Sequence, residues 1–235
     1  MTYIQKANAY IRDVIKGKIP ACKWVKLACQ RQKNDLERAK KADFPYRFDK
    51  EKAEKVCKFI ENLPHTKGVW ASRGELIRLE PWQCFILTTI FGWINRKTGY
   101  RRYREAYVEI PRKNSKSTMA AGIGLYMFAA DGEYGAEIYS GASSEKQAWE
   151  VFRPAKLMAE RDQEMRDFFG IQVNAKTLNI PTDMSRFEPM IGKPGDGASP
   201  SCAIHDEFHE HDTDDQHSTM KTGMGARTQP LQLDI

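Results

Sequence analysis

Apolar residues recur at helical spacing from the start of the chain. Tyr3, Ala7, Tyr10, Ile11 and Val14 line one face. Gly17 and then Ile19-Pro20 stop that run. A second helix is predicted over 21–41. A third opens near Asp49, a suitable N-cap, and continues through Val56, Phe59 and Ile60 to Leu63-Pro64. Residues 1–62 therefore read as helical, and 64–78 as a connecting loop that ends in an extended segment.

From residue 79 the texture changes. Pro81 suits a helix start, and 82–91 reads as a buried helix. A turn at 95–99, a strand over 101–110, a helix over 117–130 and a strand at 137–140 follow. Ser144-Glu145-Lys146-Gln147 is a capping-box pattern that opens a long helix, in which Pro154 predicts a kink or break. Short strands are expected around 172–180 and 186–191, a loop over the Gly- and Pro-rich 192–200, and an apolar strand at 201–205. A helix over 214–227 and a strand from 231 complete the pattern. Strands that alternate with helices imply an α/β fold with a mostly parallel central sheet flanked by helices, preceded by a helical extension. The expected division is an extension over 1–64 and a second domain over 65–235.

Composition narrows the class. With 41% hydrophobic and 29% charged residues the chain suits a soluble globular protein. No apolar run approaches the ~20 residues of a membrane span, and the opening MTYIQKANAY lacks a signal-peptide core. A cytoplasmic protein is expected. Cys22, Cys29, Cys57, Cys84 and Cys202 are odd in number, scattered, and contain no C-x-x-C pair. They read as reduced packing residues, neither a disulfide framework nor a zinc site. Charge is unevenly placed: residues 1–60 hold 16 Lys and Arg against 7 Asp and Glu, whereas the remainder holds 21 against 24. A second basic cluster is Arg96, Lys97, Arg101, Arg102 and Arg104. Such patches suit a polyanionic partner, and a solvated helical face equally.

The chemistry concentrates in Tyr107-Val108-Glu109-Ile110-Pro111-Arg112-Lys113-Asn114-Ser115-Lys116-Ser117-Thr118. Strand, polar turn, then helix is the layout of a phosphate-binding loop. The usual G-x-x-x-x-G-K-[ST] is degenerate here: Ile110 and Ser115 stand where the glycines would be. Lys116 would reach the β- and γ-phosphates, Ser117 would place its hydroxyl on Mg²⁺, and the backbone N–H groups of 113–117 would cradle phosphate oxygens. Arg112 and Lys113 add positive charge, and Arg112 is placed to stabilise charge on a transferred phosphoryl group. The partner motif is Cys202-Ala203-Ile204-His205-Asp206-Glu207, with Asp206 lying 89 residues after Ser117. An apolar strand ends in two carboxylates, one for Mg²⁺ and one to polarise an attacking water. Gln83 offers a donor and an acceptor to the edge of adenine, with Trp82 beside it. A competing pattern is His205-Asp206-Glu207-Phe208-His209, near the zinc-protease H-E-x-x-H, with His211 and His217 close by; its glutamate is one position late, and it begins in a predicted strand.

These residues together resemble the ATPase part of bacteriophage terminase large subunits, motors that package DNA into procapsids. The resemblance runs over nearly the whole chain. It rests on Leu79-Glu80-Pro81-Trp82-Gln83, Phe91-Gly92-Trp93, Gly99-Tyr100-Arg101-Arg102-Tyr103-Arg104, the loop 111–118, Ser140-Gly141-Ala142-Ser143, Gln147-Ala148 and His205-Asp206-Glu207. A phosphate loop without the usual glycines and with an arginine near its start is a feature of that family. The resemblance implies a P-loop ATPase that uses ATP and Mg²⁺. Gln83 and Trp82 would contact adenine, and Lys113, Asn114, Ser115, Lys116, Ser117 and Thr118 would hold the phosphates. Ser117 and Asp206 would serve the metal, Glu207 would be the catalytic base, and Arg112 would couple nucleotide state to motion. Arg153 is a candidate for an arginine donated to a neighbouring subunit. Implied partners are double-stranded DNA, the terminase small subunit, the portal protein and further copies in a ring, in the bacterial host cytoplasm and with no membrane. The family's Thr/Ser coupling motif and nuclease domain would follow Leu233-Asp234-Ile235, so the chain reads as truncated, and its turnover alone is open. The alternatives are a helicase-like DNA translocase, and a non-catalytic remnant that binds DNA or a partner subunit.

Overall fold

Thr2 and Gln5 start the first helix by reciprocal capping, each side chain accepting from the other's backbone N–H. In the computed structural model, which describes residues 1–142, 144–191, 197–207 and 213–235, this helix, α1 (Tyr3–Ile15), buries Ala7, Ile11 and Val14. The next, α2 (Lys23–Arg38), buries Gln32 and Asp35 beside Cys29. Those polar groups are satisfied. The Trp93 indole N–H donates to Gln32 Oε1 at 2.7 Å, and Arg102 and Arg38 meet the two Asp35 oxygens at 2.7 and 3.1 Å.

A short strand, β1 (Tyr46–Phe48), precedes α3 (Lys50–Glu61). Asp49 starts α3 as expected, its Oδ1 accepting from the Lys52 N–H at 3.1 Å. Residues 62–77 carry a short helix, α4 (Gly68–Ser72), where a plain loop was expected. Next, α5 (Pro81–Gly92) is apolar on all sides and buried, with Pro81 in its first turn. The following β2 (Trp93–Asn95) pairs antiparallel with β1. This pairing corrects the all-helical expectation for 1–62. Its cause is non-local. Phe48 and Phe44 pack edge-on against Trp93, with ring centroids 5.4 and 6.2 Å apart. Gly92 makes room, since a Cβ there would lie 2.6 Å from the Phe48 ring. Met1–Glu61 with Arg78–Tyr103 form one compact unit.

Asn62–Ile77 and Arg104–Ile235 form the second unit. Its strands and helices, in chain order, are β3 (Glu105–Tyr107), α6 (Lys116–Ala129), β4 (Glu137–Ala142), α7 (Glu145–Arg161), α8 (Gln163–Phe169), β5 (Gln172–Val173), β6 (Leu178–Ile180), β7 (Ser185–Ile191), β8 (Cys202–His205), α9 (Asp215–Gly223) and β9 (Leu231–Asp234). The seven strands form one sheet in the order β3-β9-β8-β4-β7-β6-β5. Pairing is parallel from β3 to β7 and antiparallel from β7 to β5. The mostly parallel α/β sheet read from the sequence is present. The strand expected over 101–110 contributes only 105–107. Pro154 does not break α7; the interruption falls at Asp162, whose side chain accepts from the Met165 N–H at 2.8 Å and starts α8.

Helices cover both faces. On one face α6 and α7 share Phe187, which meets Phe128 and Phe152. Gly124 lets α6 lie close, because a Cβ there would sit 2.8 Å from Phe187 and 3.2 Å from Ile204. On the other face Met220 of α9 and Met224 pack on Tyr139 and Ala203. Alternation along β8 thus sends Ala203 and His205 towards α9, and Ile204 and Asp206 towards α6. All five cysteines are free thiols, four of them buried. No helix among the described residues is long and apolar enough to cross a membrane.

Candidate active site

The loop from β3 to α6 is built on strained backbone. Ser115, the residue before α6, has φ 58°, and Lys113 has φ 69°. Only glycine adopts this left-handed region without penalty, which costs other residues about 1–2 kcal/mol. That is the physical reason for the second glycine of the usual loop pattern. Ile110, at the first glycine position, is not in that region and carries no such strain. Asn114 braces the turn from inside, donating from Nδ2 to the Pro111 and Arg112 carbonyls at 3.0 and 3.3 Å. Replacing Ser115 by Gly should keep the loop and raise stability by up to about 1 kcal/mol, whereas Ser115→Val should lower it by about 1–2 kcal/mol. Denaturant unfolding of the two variants checks this, and equal midpoints would contradict it.

Ser115 makes no side-chain cap bond to α6. The first-turn N–H groups, which have no partner within a helix, are thus not closed by their own N-cap. A helix N-terminus also carries partial positive charge and favours an anion.

The other half of the site lies where β8 ends. Glu207 has φ 51°, and its N–H donates to the Ile235 carbonyl at 2.9 Å. Lys116 Nζ lies 2.7 Å from Glu207 Oε1 and 3.4 Å from Asp206 Oδ1. Ser117 Oγ donates to Asp206 Oδ2 at 3.5 Å. The loop and the paired carboxylates, separated in sequence by 89 and 91 residues at these contacts, therefore converge. Burial works against the Lys116 ammonium, but Glu207 and Asp206 outweigh it and hold its pKa above the ordinary lysine value. Burial pushes the Asp206 carboxyl above the usual carboxylate range; Lys116 opposes this and Glu207 adds to it. The ion pair secures the lysine charge but does not offset the desolvation of Asp206.

Other residues singled out in the sequence are placed as follows. Arg112 is exposed on the turn, and Thr118 is half-buried in the first turn of α6. Arg153 is exposed on α7, 5.8 Å from the Trp149 ring centre. Trp82 and Gln83 belong to the first unit. There the Gln83 Oε1 accepts from the Glu80 N–H at 2.9 Å in a capping box. His205 is wholly buried and pairs with Asp234. His209, His211 and Ser143 lie outside the described residues. Among the described residues no group of three His, Cys, Asp or Glu is arranged to hold a metal ion. His205 ends a strand and does not lie on a helix, so the H-E-x-x-H geometry is not reproduced. Asp234 was not singled out in the sequence; an acidic residue ending the apolar strand 231–234 was its only signal.

The family model described as "Terminase large subunit, ATPase domain" matches residues 81–235. Protein YmfN of Escherichia coli (strain K12) is 46% identical over 70 residues, which is 27% of this chain and 15% of that protein. The terminase large subunit of Enterobacteria phage HK97 is 29% identical over 192 residues, covering 78% of this chain and 36% of its own length. The crystal structure of the HK97 bacteriophage large terminase matches with a TM-score of 0.64 and 26% identity, over 78% of this chain and 37% of that one. The chain thus spans well under half the length of either curated relative.

Proposed function

Because the chain belongs to the family of terminase large-subunit ATPase domains, we propose that it hydrolyses ATP with Mg²⁺ to drive the packaging of phage DNA into procapsids. The observation that carries this reading is the convergence of Lys116 and Ser117 with Asp206 and Glu207. The two motifs, distant in the chain, meet at the C-terminal end of a parallel strand, where open α/β sheets bind ligands.

Lys116 and the α6 N-terminus would bind the β- and γ-phosphates, and the lysine would neutralise charge as the γ-phosphoryl group transfers. Glu207 would accept the proton of the attacking water. Arg112, exposed on the turn, would follow the nucleotide state, and Lys113 would add charge beside it. The donor set suits Mg²⁺. Ser117 and Asp206 offer hard oxygens, and among the described residues the buried Asp206 Oδ1 has no hydrogen-bond partner nearer than the Lys116 ammonium at 3.4 Å. Ser117 and Asp206 would hold the ion, which when bound supplies charge neutralisation at the phosphates. The proposed partners of the whole protein are double-stranded DNA, the small subunit, the portal and neighbouring copies in a ring, in the host cytoplasm.

Phosphate release from ATP by the purified chain tests the reading. Turnover should require Mg²⁺, stop with EDTA and return on adding excess Mg²⁺. Turnover that persists in EDTA would remove the metal, and absence of both ATP binding and turnover would remove the ATPase reading.

A further inference from the structure

We propose that Asp234 is a positioning residue for Glu207, clamping the end of β8 between β9 and α9 through His205 and His217. The inference rests on the ATPase reading for its catalytic consequence, but the clamp itself stands on geometry.

His205 and Asp234 are register partners on neighbouring parallel strands, so their side chains share the face covered by α9. His205 Nδ1 lies 3.0 Å from Asp234 Oδ1, and His217 Nε2, on α9, lies 3.3 Å from Oδ2. A carboxylate only accepts, so each ring is assigned to donate one N–H to it, which sets both tautomers. The two imidazoles are tilted against each other with centroids 5.3 Å apart. One carboxylate thus joins a strand and a helix through a buried ring that immediately precedes Asp206 and Glu207. Gln216, the neighbour of His217, fits against the sheet where Gly141 lacks a side chain; a Cβ there would lie 2.7 Å from its Oε1.

The backbone repeats the connection. The Val108 N–H, at the start of the phosphate loop, donates to the Asp234 carbonyl at 2.9 Å. The Ile235 N–H donates to the His205 carbonyl, and the Glu207 N–H to the Ile235 carbonyl, each at 2.9 Å. Residues 234 and 235 therefore bear both the loop that would hold the phosphates and the base that would activate water. Glu207 sits in left-handed backbone, a conformation that persists only where the surroundings enforce it. Small displacements of a general base are costly in rate, so a loosened clamp should act on turnover more than on binding.

The test is Asp234→Asn, which keeps the shape but replaces one acceptor oxygen by a donor. Turnover at saturating ATP should fall by about 10-fold or more, with ATP affinity changed by less than about twofold. Hydrogen exchange should quicken in 205–207 and 215–223 while the protection of α1 and α6 is kept. Unchanged turnover in a parent chain that hydrolyses ATP would overturn the proposal, as would a parallel loss of affinity, turnover and global protection. If the parent binds ATP without hydrolysing it, turnover gives no readout and exchange alone decides the clamp: unchanged protection at 205–207 and 215–223 overturns it, while the ATPase reading stands or falls by its own test. Should Asp234→Asn not fold, His217→Gln removes only the α9 arm. Faster exchange confined to 215–223 and 205–207 then supports the clamp, and no local change sinks it.

Discussion

Lys116→Ala should abolish ATP turnover and weaken ATP binding by about 100-fold or more. The ammonium lies within 3.4 Å of both site carboxylates and beside the start of α6. It contacts both Asp206 and Glu207, so its removal takes away positive charge where a polyanionic ligand would bind. Hydrogen bonds to a charged group contribute about 1.5–3 kcal/mol each, and two to phosphate oxygens amount to about 100-fold or more in affinity. The variant should stay folded, because Lys116 is partly exposed and Asp206 is already pushed towards its neutral form by burial. Titration with a fluorescent ATP analogue, alongside circular dichroism, measures both quantities. Equal affinity in a folded variant would remove the loop from the nucleotide site, whatever the family match.

Glu207→Gln should separate binding from chemistry. Glutamine keeps the volume and the contact to Lys116 but accepts no proton at neutral pH. Loss of a general base lowers rate by about 10²–10⁴-fold. Affinity should hold or tighten, because the carboxylate that shares Lys116 at 2.7 Å no longer competes with phosphate oxygens for it. Single-turnover phosphate release, with the affinity measured on the same preparation, gives both numbers. Hydrolysis at the parent rate would take the base role from Glu207. Loss of binding together with rate would make it a ligand-holding residue instead.

Much of the site was legible before any coordinates because its parts are local patterns. A polar turn followed at once by Lys116-Ser117-Thr118 and a helix, and an apolar strand that ends in Asp206-Glu207, are each contained in a few residues. So are the capping signals of Asp49 and Ser144, which stand at the observed helix starts. The missing glycines were legible as an anomaly shared with the family, but the backbone conformation at each position was not. Ser115 needs positive φ and Ile110 does not, a distinction that dihedral angles alone reveal. Asp234 escaped notice because its importance comes from its neighbours. Nothing near it in the chain says that His205 lies beside it on the next strand, or that His217 meets its other oxygen.

The first unit shows the same limit. The helical periods of α1, α2 and α3 were readable, but β1 exists because Trp93 and Gly92, more than 40 residues away, provide its partner strand and the space for Phe48. Likewise α5 was recognisable as buried from its uniform apolarity, which does not name what it packs against; Tyr10 of α1 lies 5.7 Å, ring to ring, from its Phe85.

By itself, then, the sequence determined the class of fold, the helix starts at Asp49 and Ser144, and the pairs Lys116-Ser117 and Asp206-Glu207 on which ATP chemistry is proposed, since periodicity, caps and motif residues act over a few positions. Tertiary structure alone decided that β9 lies between the loop strand and the carboxylate strand. It also decided that Lys116 meets Glu207, and that both halves of the site hang from residues 234 and 235. Strand order and register come from the joint burial of side chains far apart in the chain and the pairing of their backbones, and no short stretch of residues encodes them.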